Sequence, residues 1–207
     1  MSILHTDKAE RMAQLIRDLH ARGWSPATST NYSFRNDCKT IALSKSGIDK
    51  KMFHVEHFLL MDTQGKLLPE YQNLKPSAET LLHLALYRNN PNIEAVLHTH
   101  TILNTVLSRK LEKEGKIVFT NYELLKAFAG IETHETSLEI PIFPNTQDIA
   151  ALSETFEKAY HNNPFMKGYL IAGHGFYTWG DSLAEAKRHL EAFEFLLECY
   201  YRELLLS

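Results

Sequence analysis

The chain has 207 residues, 44% hydrophobic and 23% charged, with a formal net charge of −3. That length suits one sizeable core, so a single domain over residues 1–207 is expected. No basic run exceeds two residues, which excludes a nucleic-acid or anionic-membrane footprint, and no stretch approaches the ~20 apolar residues of a membrane span.

The first residues carry charge from Asp7 onward and lack a signal-peptide pattern. Cys38 and Cys199 stand far apart and in no C-x-x-C arrangement. A disulfide framework is not expected, and a reducing cytoplasm fits best.

Thr6 or Asp7 is placed to cap a first helix, with Met12, Leu15, Ile16 and Leu19 on one stripe until Gly23 ends it. Residues 25–37 are rich in Ser, Thr and Asn, and only NYSFR within them reads as a short strand. IALS (41–44) and HFLLMD (57–62) read as strands joined through the turn-like KSGIDK. PSAETLLHLALYRN (76–89) reads as a helix capped by Ser77, with Leu81, Leu82, Ala85 and Leu86 toward the core.

IEAVLHTH (93–100) reads as strand, and TILNTVLSRK resumes a helical period. KIVFT (116–120) is a strand, Asn121 is placed to cap the short helix YELLKAF, and LEIPIFP (138–144) is again strand. A helix capped by Thr146 runs to about Tyr160. GYLIAGHG (168–175) reads as an apolar strand broken by glycines. Ser182 and Glu185 form a capping box for a long last helix carrying Leu183, Ala186, Leu190, Phe193, Leu197 and Tyr200. Helices interleaved with short strands, without linker or repeat, imply a layered α/β domain. The G-x-G-x-x-G and G-K-[ST] loops are absent, which removes weight from nucleotide-dependent classes.

VLHTH carries the chemistry. On a strand, alternate side chains share a face, so His98 and His100 point the same way, roughly 6.5–7 Å apart at Cα. On a helix they would be nearly opposed. His174, bracketed by Gly173 and Gly175, ends a second apolar run. If the two strands are neighbours, three neutral imidazoles meet at one sheet end. Three histidines with a position left for substrate is the pattern of a catalytic zinc, whereas structural zinc is usually closed by four ligands. His54 and His57 bracket a turn, His83 and His189 fall in helices, and His134 lies in a polar loop, so these are expected to be structural or solvated.

VLHTH, the later AGHG, and PSAE about twenty residues before the histidine pair resemble the class II sugar-phosphate aldolase/epimerase family. ATSTNYS (27–33) is similar to that family's G-T-S-G-N-x-S turn, and SKSG (44–47) to its S-x-T-G loop. NYELLKAF, THE (133–135), PIFPNTQDI and HGFYTWG resemble its dehydratase subgroup of methionine salvage, acting on 5-methylthioribulose 1-phosphate. Thr30 stands where the family has glycine, and Ala78 where it has a second serine.

The resemblance implies a three-layer α/β/α fold with a central, mainly antiparallel sheet, and a homotetramer with sites near subunit interfaces. It implies one Zn2+ per subunit on His98, His100 and His174, and a substrate phosphate held by Asn31, Ser46, Gly47 and Ser77. It offers two carboxylates for proton transfer: Glu123, which matches the dehydratase acid/base and is preferred, and Glu79, which matches the aldolase acid/base and is held in reserve. Phe176, Tyr177 or Trp179 is expected to wall the methylthio group. The competing expectations are an aldolase or epimerase on the same scaffold, and a non-catalytic interaction module like the adducin head.

Overall fold

The computed structural model describes residues 3–163 and 165–206. The described residues form one eight-stranded sheet. In chain order its strands are β1 Asn31–Arg35, β2 Thr40–Ser44, β3 Phe58–Asp62, β4 Ala95–Thr99, β5 Lys116–Thr120, β6 Ser137–Phe143, β7 Gly168–Ile171 and β8 Gly175–Gly180. They lie in the order β3-β2-β1-β4-β8-β7-β6-β5, and every neighbouring pair is antiparallel except β6 with β7.

Five helices cover the sheet: α1 Thr6–Ala21, α2 Thr80–Asn89, α3 Ile102–Lys110, α4 Ile149–Asn162 and α5 Leu183–Leu206. One core joins Met12 and Ile16 of α1, Leu107 of α3 and Phe193 of α5 to Leu97 and Phe176 of the sheet. The opposite core joins Leu82 and Leu86 of α2 and Phe156 of α4 to Val96 and Tyr177. Neighbours in β4 and β8 thus alternate between the two cores, as the pleat requires. Because both faces are covered, the middle strands are buried at almost every position, polar Asn31, Ser33, His98 and Thr99 included. The three layers are those expected.

Several local expectations shift. His5, not Thr6 or Asp7, is the N-cap of α1. Leu81 is exposed, because α2 begins at Thr80 and turns Leu82, Ala85 and Leu86 inward instead. Asn121 is no helix cap: at φ +61° it reverses the chain after β5, a conformation asparagine tolerates better than most residues. The segment after it is a short 3₁₀ turn, Glu123–Ala127, with Tyr122 as N-cap. Thr146 accepts from the Asp148 amide at 3.1 Å, and Asp148 in turn caps α4 through the Ala151 amide at 3.0 Å. Ser182 accepts from the Glu185 amide, but the Glu185 carboxylate reaches the Asp181 amide instead of closing the box. Both cysteines are free, and among the described residues no helix is long and apolar enough to cross a membrane.

The registers fix which strand ends meet. Thr99 pairs with Phe176, Ile171 with Gly175, and Phe143 with Ile171. The C-terminal ends of β4, β7 and β6 therefore share one sheet end with the start of β8. Thr120 pairs with Ser137, so β5 finishes at the other end.

Candidate active site

His98 is the penultimate residue of β4, and His100 follows that strand's end. His174 sits in the tight β7–β8 turn, so GYLIAGHG is not one strand but the first arm and turn of a hairpin. The strand beside β4 is β8, not β7. The third imidazole arrives from a turn, and the convergence expected of the three histidines is present.

Gly175 makes room for it. A Cβ there would lie 2.5 Å from His100 Cδ2 and 2.8 Å from His98 Cε1, distances that real side chains do not tolerate. Gly173, at φ +64°, supplies the left-handed residue that the turn needs.

His98 Nδ1 lies 3.1 Å from the Phe176 carbonyl oxygen. A carbonyl only accepts, so Nδ1 carries the proton and the Nε2 lone pair faces the cluster. Tyr177 stacks on the same ring at 3.9 Å between centroids, holding its plane. His98 Nε2 and His100 Nε2 are 2.8 Å apart, and the ligand nitrogens of His98, His100 and His174 all lie within 4.8 Å of one another. Burial pushes His100 down to about 4 and His98 well below its ordinary value, so both stay neutral. Three converging imidazoles with no thiolate among them fit one divalent ion with an open coordination position.

Glu79, the N-cap residue of α2, completes the cluster. Its Oε1 is 2.9 Å from His174 Nε2 and its Oε2 is 3.6 Å from His98 Nε2. Burial alone would raise this carboxyl. The His98 and His174 imidazoles and the Asn31 amide outweigh that, holding it well below the usual carboxylate range.

Behind Glu79 runs a chain of buried polar groups. The Asn31 amide nitrogen donates to Glu79 Oε2 and, at 3.3 Å, to Ser77 Oγ. The Asn31 amide oxygen is bonded by His83 Nε2, whose Nδ1 faces Ser33 Oγ at 2.7 Å. Ser33 Oγ lies 2.9 Å from the Tyr87 hydroxyl. The amide oxygen of Asn31 can only accept, so His83 Nε2 carries its proton and Nδ1 accepts from Ser33. His83 therefore supports the site through Asn31, which single-residue reading missed. The available signal was its i+4 spacing from Glu79 on α2.

The remaining expected residues divide. Ser46 and Ser77 line a cavity of about 500 Å3 with Glu79, His100, His174 and the 145–147 loop. They also line an adjoining hollow of about 190 Å3 with Thr28, Ser29, Thr30 and Asn31. Gly47 makes the turn beside Ser46 at φ +74°. Asn145, Thr146 and Gln147 are wall residues that sequence reading placed in the PIFPNTQDI match and at a helix entry without giving them a role in the site; they follow β6, whose end the fold brings to the histidines. Phe176, Tyr177 and Trp179 are buried in the two cores and do not wall this cavity.

Glu123 is elsewhere. It follows β5, at the sheet end opposite the histidines, where its exposed carboxylate pairs with Lys126 and lies 3.5 Å from His134 Nδ1. Within one chain, Glu79 joins the cluster and Glu123 does not.

A family model described as class II aldolase and adducin N-terminal domain matches residues 10–201. The chain is 44% identical over 209 residues to a methylthioribulose-1-phosphate dehydratase of a Picosynechococcus species, covering 100% of this chain and 97% of the relative. It is 49% identical over 205 residues to a protein of the same name from Pseudomonas aeruginosa, covering 97% and 98%. Among solved structures, an L-fuculose 1-phosphate aldolase superposes with a TM-score of 0.81 at 21% identity, over 100% of this chain and 90% of that one.

Proposed function

The chain belongs to the class II aldolase and adducin N-terminal domain family, and from that premise we propose that it is a hydro-lyase of methionine salvage. It converts 5-methylthioribulose 1-phosphate to 2,3-diketo-5-methylthiopentyl 1-phosphate. The observation that carries this reading is near-full-length identity of 44–49% to proteins named for that activity, joined to a three-histidine cluster that fits a metal.

His98, His100 and His174 would hold the ion, one zinc per subunit. When bound, it supplies a Lewis acid that makes the C–H beside the substrate carbonyl more acidic. The chain's own groups do the rest. The hydroxyls of Ser46 and Ser77 and the turn at Gly47 receive the phosphate. Asn31 also faces that hollow, although its amide is already committed to Glu79 and His83.

A carboxylate then takes the C3 proton and returns it to the C4 hydroxyl, which leaves as water, and the resulting enol tautomerises to the diketone. Glu123 is our assignment for that carboxylate. From the far sheet end it would serve the site of a neighbouring copy, in a homotetramer whose sites lie between subunits. Glu79 holds His174 and lies beside His98 from within the chain. Its contacts suit a positioning role or, if Glu123 proves dispensable, the proton transfer itself.

We read residues 1–207 as one domain, since both cores flank the same sheet, and the free thiols suit a reducing cytoplasm. The test offers the zinc-loaded protein 5-methylthioribulose 1-phosphate and, separately, fuculose 1-phosphate. Loss of water from the thio-sugar is expected. Production of only an aldehyde and dihydroxyacetone phosphate would make the protein an aldolase. Absence of stoichiometric metal after purification without chelator would favour the non-catalytic reading. His98→Ala should lose both metal and turnover.

A further inference from the structure

Lys50 is only 1% exposed, an unusual place for an ammonium group. It opens the 3₁₀ turn Lys50–Met52, just after the loop that carries Ser46 and Gly47. Its Nζ donates to the Ile48 carbonyl at 3.1 Å and to the Thr28 carbonyl at 3.3 Å. Those acceptors belong to separate loops, 27–30 and 46–48. The first holds three non-glycine residues in the left-handed region, Ala27, Thr28 and Thr30, at φ +52°, +60° and +71°. One ammonium thus ties a strained loop to its neighbour.

Two carbonyls, with the Phe53 ring 6.0 Å from Nζ, leave much of the charge uncompensated. Among the described residues no carboxylate forms an ion pair with Lys50. Asp49 is the nearby acid that favours its charge, but that side chain turns to the Lys51 amide at 2.9 Å. His100 and His57 are the other titratable groups that feel the ammonium. Burial pushes Lys50 down to about 8, which still leaves it charged at neutral pH.

The two loops line the 190 Å3 hollow together with Asn31, Ser77, Glu79 and His100; Thr28, Ser46 and Ser77 offer hydroxyls there, while the Ser29 hydroxyl donates to the Pro26 carbonyl. A buried cation bonded to the carbonyl of Thr28, one of the residues lining this hollow, together with hydroxyl donors on the same wall, is matched by an anion of tetrahedral oxygens.

We propose that Lys50 is the fixed cation of a phosphate subsite in this hollow, fastening the two loops and supplying the charge that a phosphate ester answers. The proposal rests on the phosphorylated substrate argued above and assigns the charge to a residue outside the expected set Asn31, Ser46, Gly47 and Ser77. Lys50 is a positioning residue here, since the loops stand between it and the ester.

The experiment measures inorganic phosphate binding by calorimetry on zinc-loaded wild type, Lys50→Met and Lys50→Arg, with turnover of the thio-sugar phosphate alongside. Lys50→Met should weaken phosphate binding about tenfold or more, the loss expected for a charge-assisted partner. It should raise KM more than it lowers kcat, and Lys50→Arg should recover much of the affinity. A Lys50→Met protein with normal zinc content and wild-type phosphate affinity overturns the proposal. Should that variant fail to fold, nitrogen NMR of the Lys50 ammonium in wild type decides: its pKa rises when phosphate is added, and an unmoved pKa refutes the assignment. Wild type that binds phosphate but leaves the thio-sugar untouched would sink the proposed reaction and leave the subsite standing. Wild type that turns over beside an equally competent Lys50→Met sinks the subsite alone.

Discussion

Glu79 and Glu123 lie at opposite ends of the same sheet. Glu79 contacts His174 at 2.9 Å, whereas Glu123 follows β5, whose last residue, Thr120, pairs with the first residue of β6. A carboxylate at that end can reach a histidine cluster only on another copy of the chain.

This relationship predicts complementation. His98→Ala and Glu123→Gln should each be inactive alone, and Glu123→Gln should keep its zinc. If the two are unfolded together and refolded as a mixture, sites form that combine intact histidines from one copy with an intact Glu123 from another. Random assembly gives about one quarter of the wild-type activity. Persistent inactivity of the mixture, with tetramers confirmed by sedimentation, would show that Glu123 does not act across copies.

Gly175→Ala tests the packing that shapes the metal site. The added methyl would meet His100 Cδ2 and His98 Cε1, neither of which can move without losing convergence. Zinc occupancy, read by elemental analysis, should fall several-fold, and the apo-protein should lose about 1–3 kcal/mol of stability from overpacking. Gly173→Ala, with no neighbour nearer than 3.7 Å, should act through backbone strain instead, costing about 1–2 kcal/mol.

His83 predicts a pH effect whose sign is fixed. Burial pushes its pKa down to about 4 from the ordinary value of about 6.5. Between those values the unfolded chain binds a proton that the folded chain refuses, so the stability is present above about 6.5 and declines as pH falls toward 4. His83 by itself should contribute about 2 kcal/mol to the loss at pH 5 relative to pH 7, read as the difference between wild type and His83→Gln in urea unfolding of metal-free protein, since buried His98 and His100 add losses of their own. His83→Gln, which can still donate to Asn31 and accept from Ser33, should flatten that dependence. His83→Phe should leave Asn31 free to reorient and lower turnover about tenfold or more with zinc retained.

Thr30→Gly should stabilise the fold by about 1 kcal/mol, since a β-branched residue at φ +71° is strained. A rise in the urea midpoint at unchanged slope is the expected reading. A fall would mean that the threonine side chain contributes more by burial than its backbone loses.

Part of this was legible from residues alone because it depends on local periodicity. The two-residue repeat of a strand puts His98 and His100 on one face whatever surrounds them, and the helical stripes of α1 and α5 declare their buried sides. Glycines beside His174 announced a close approach, although not that the approach was a hairpin turn. Aromatic residues after His174 did not declare their destination, because core and cavity walls draw on the same side chains. The choice between the glutamates was beyond local pattern altogether. It depends on β4 lying between β1 and β8, and on β5 reaching the sheet edge antiparallel to β6. Those pairings join residues far apart in the chain and are set by how the two cores close around one sheet. Sequence spacing determined which groups could bind a metal, while strand order decided that Glu79 stands beside them and Glu123 at the opposite end of the sheet.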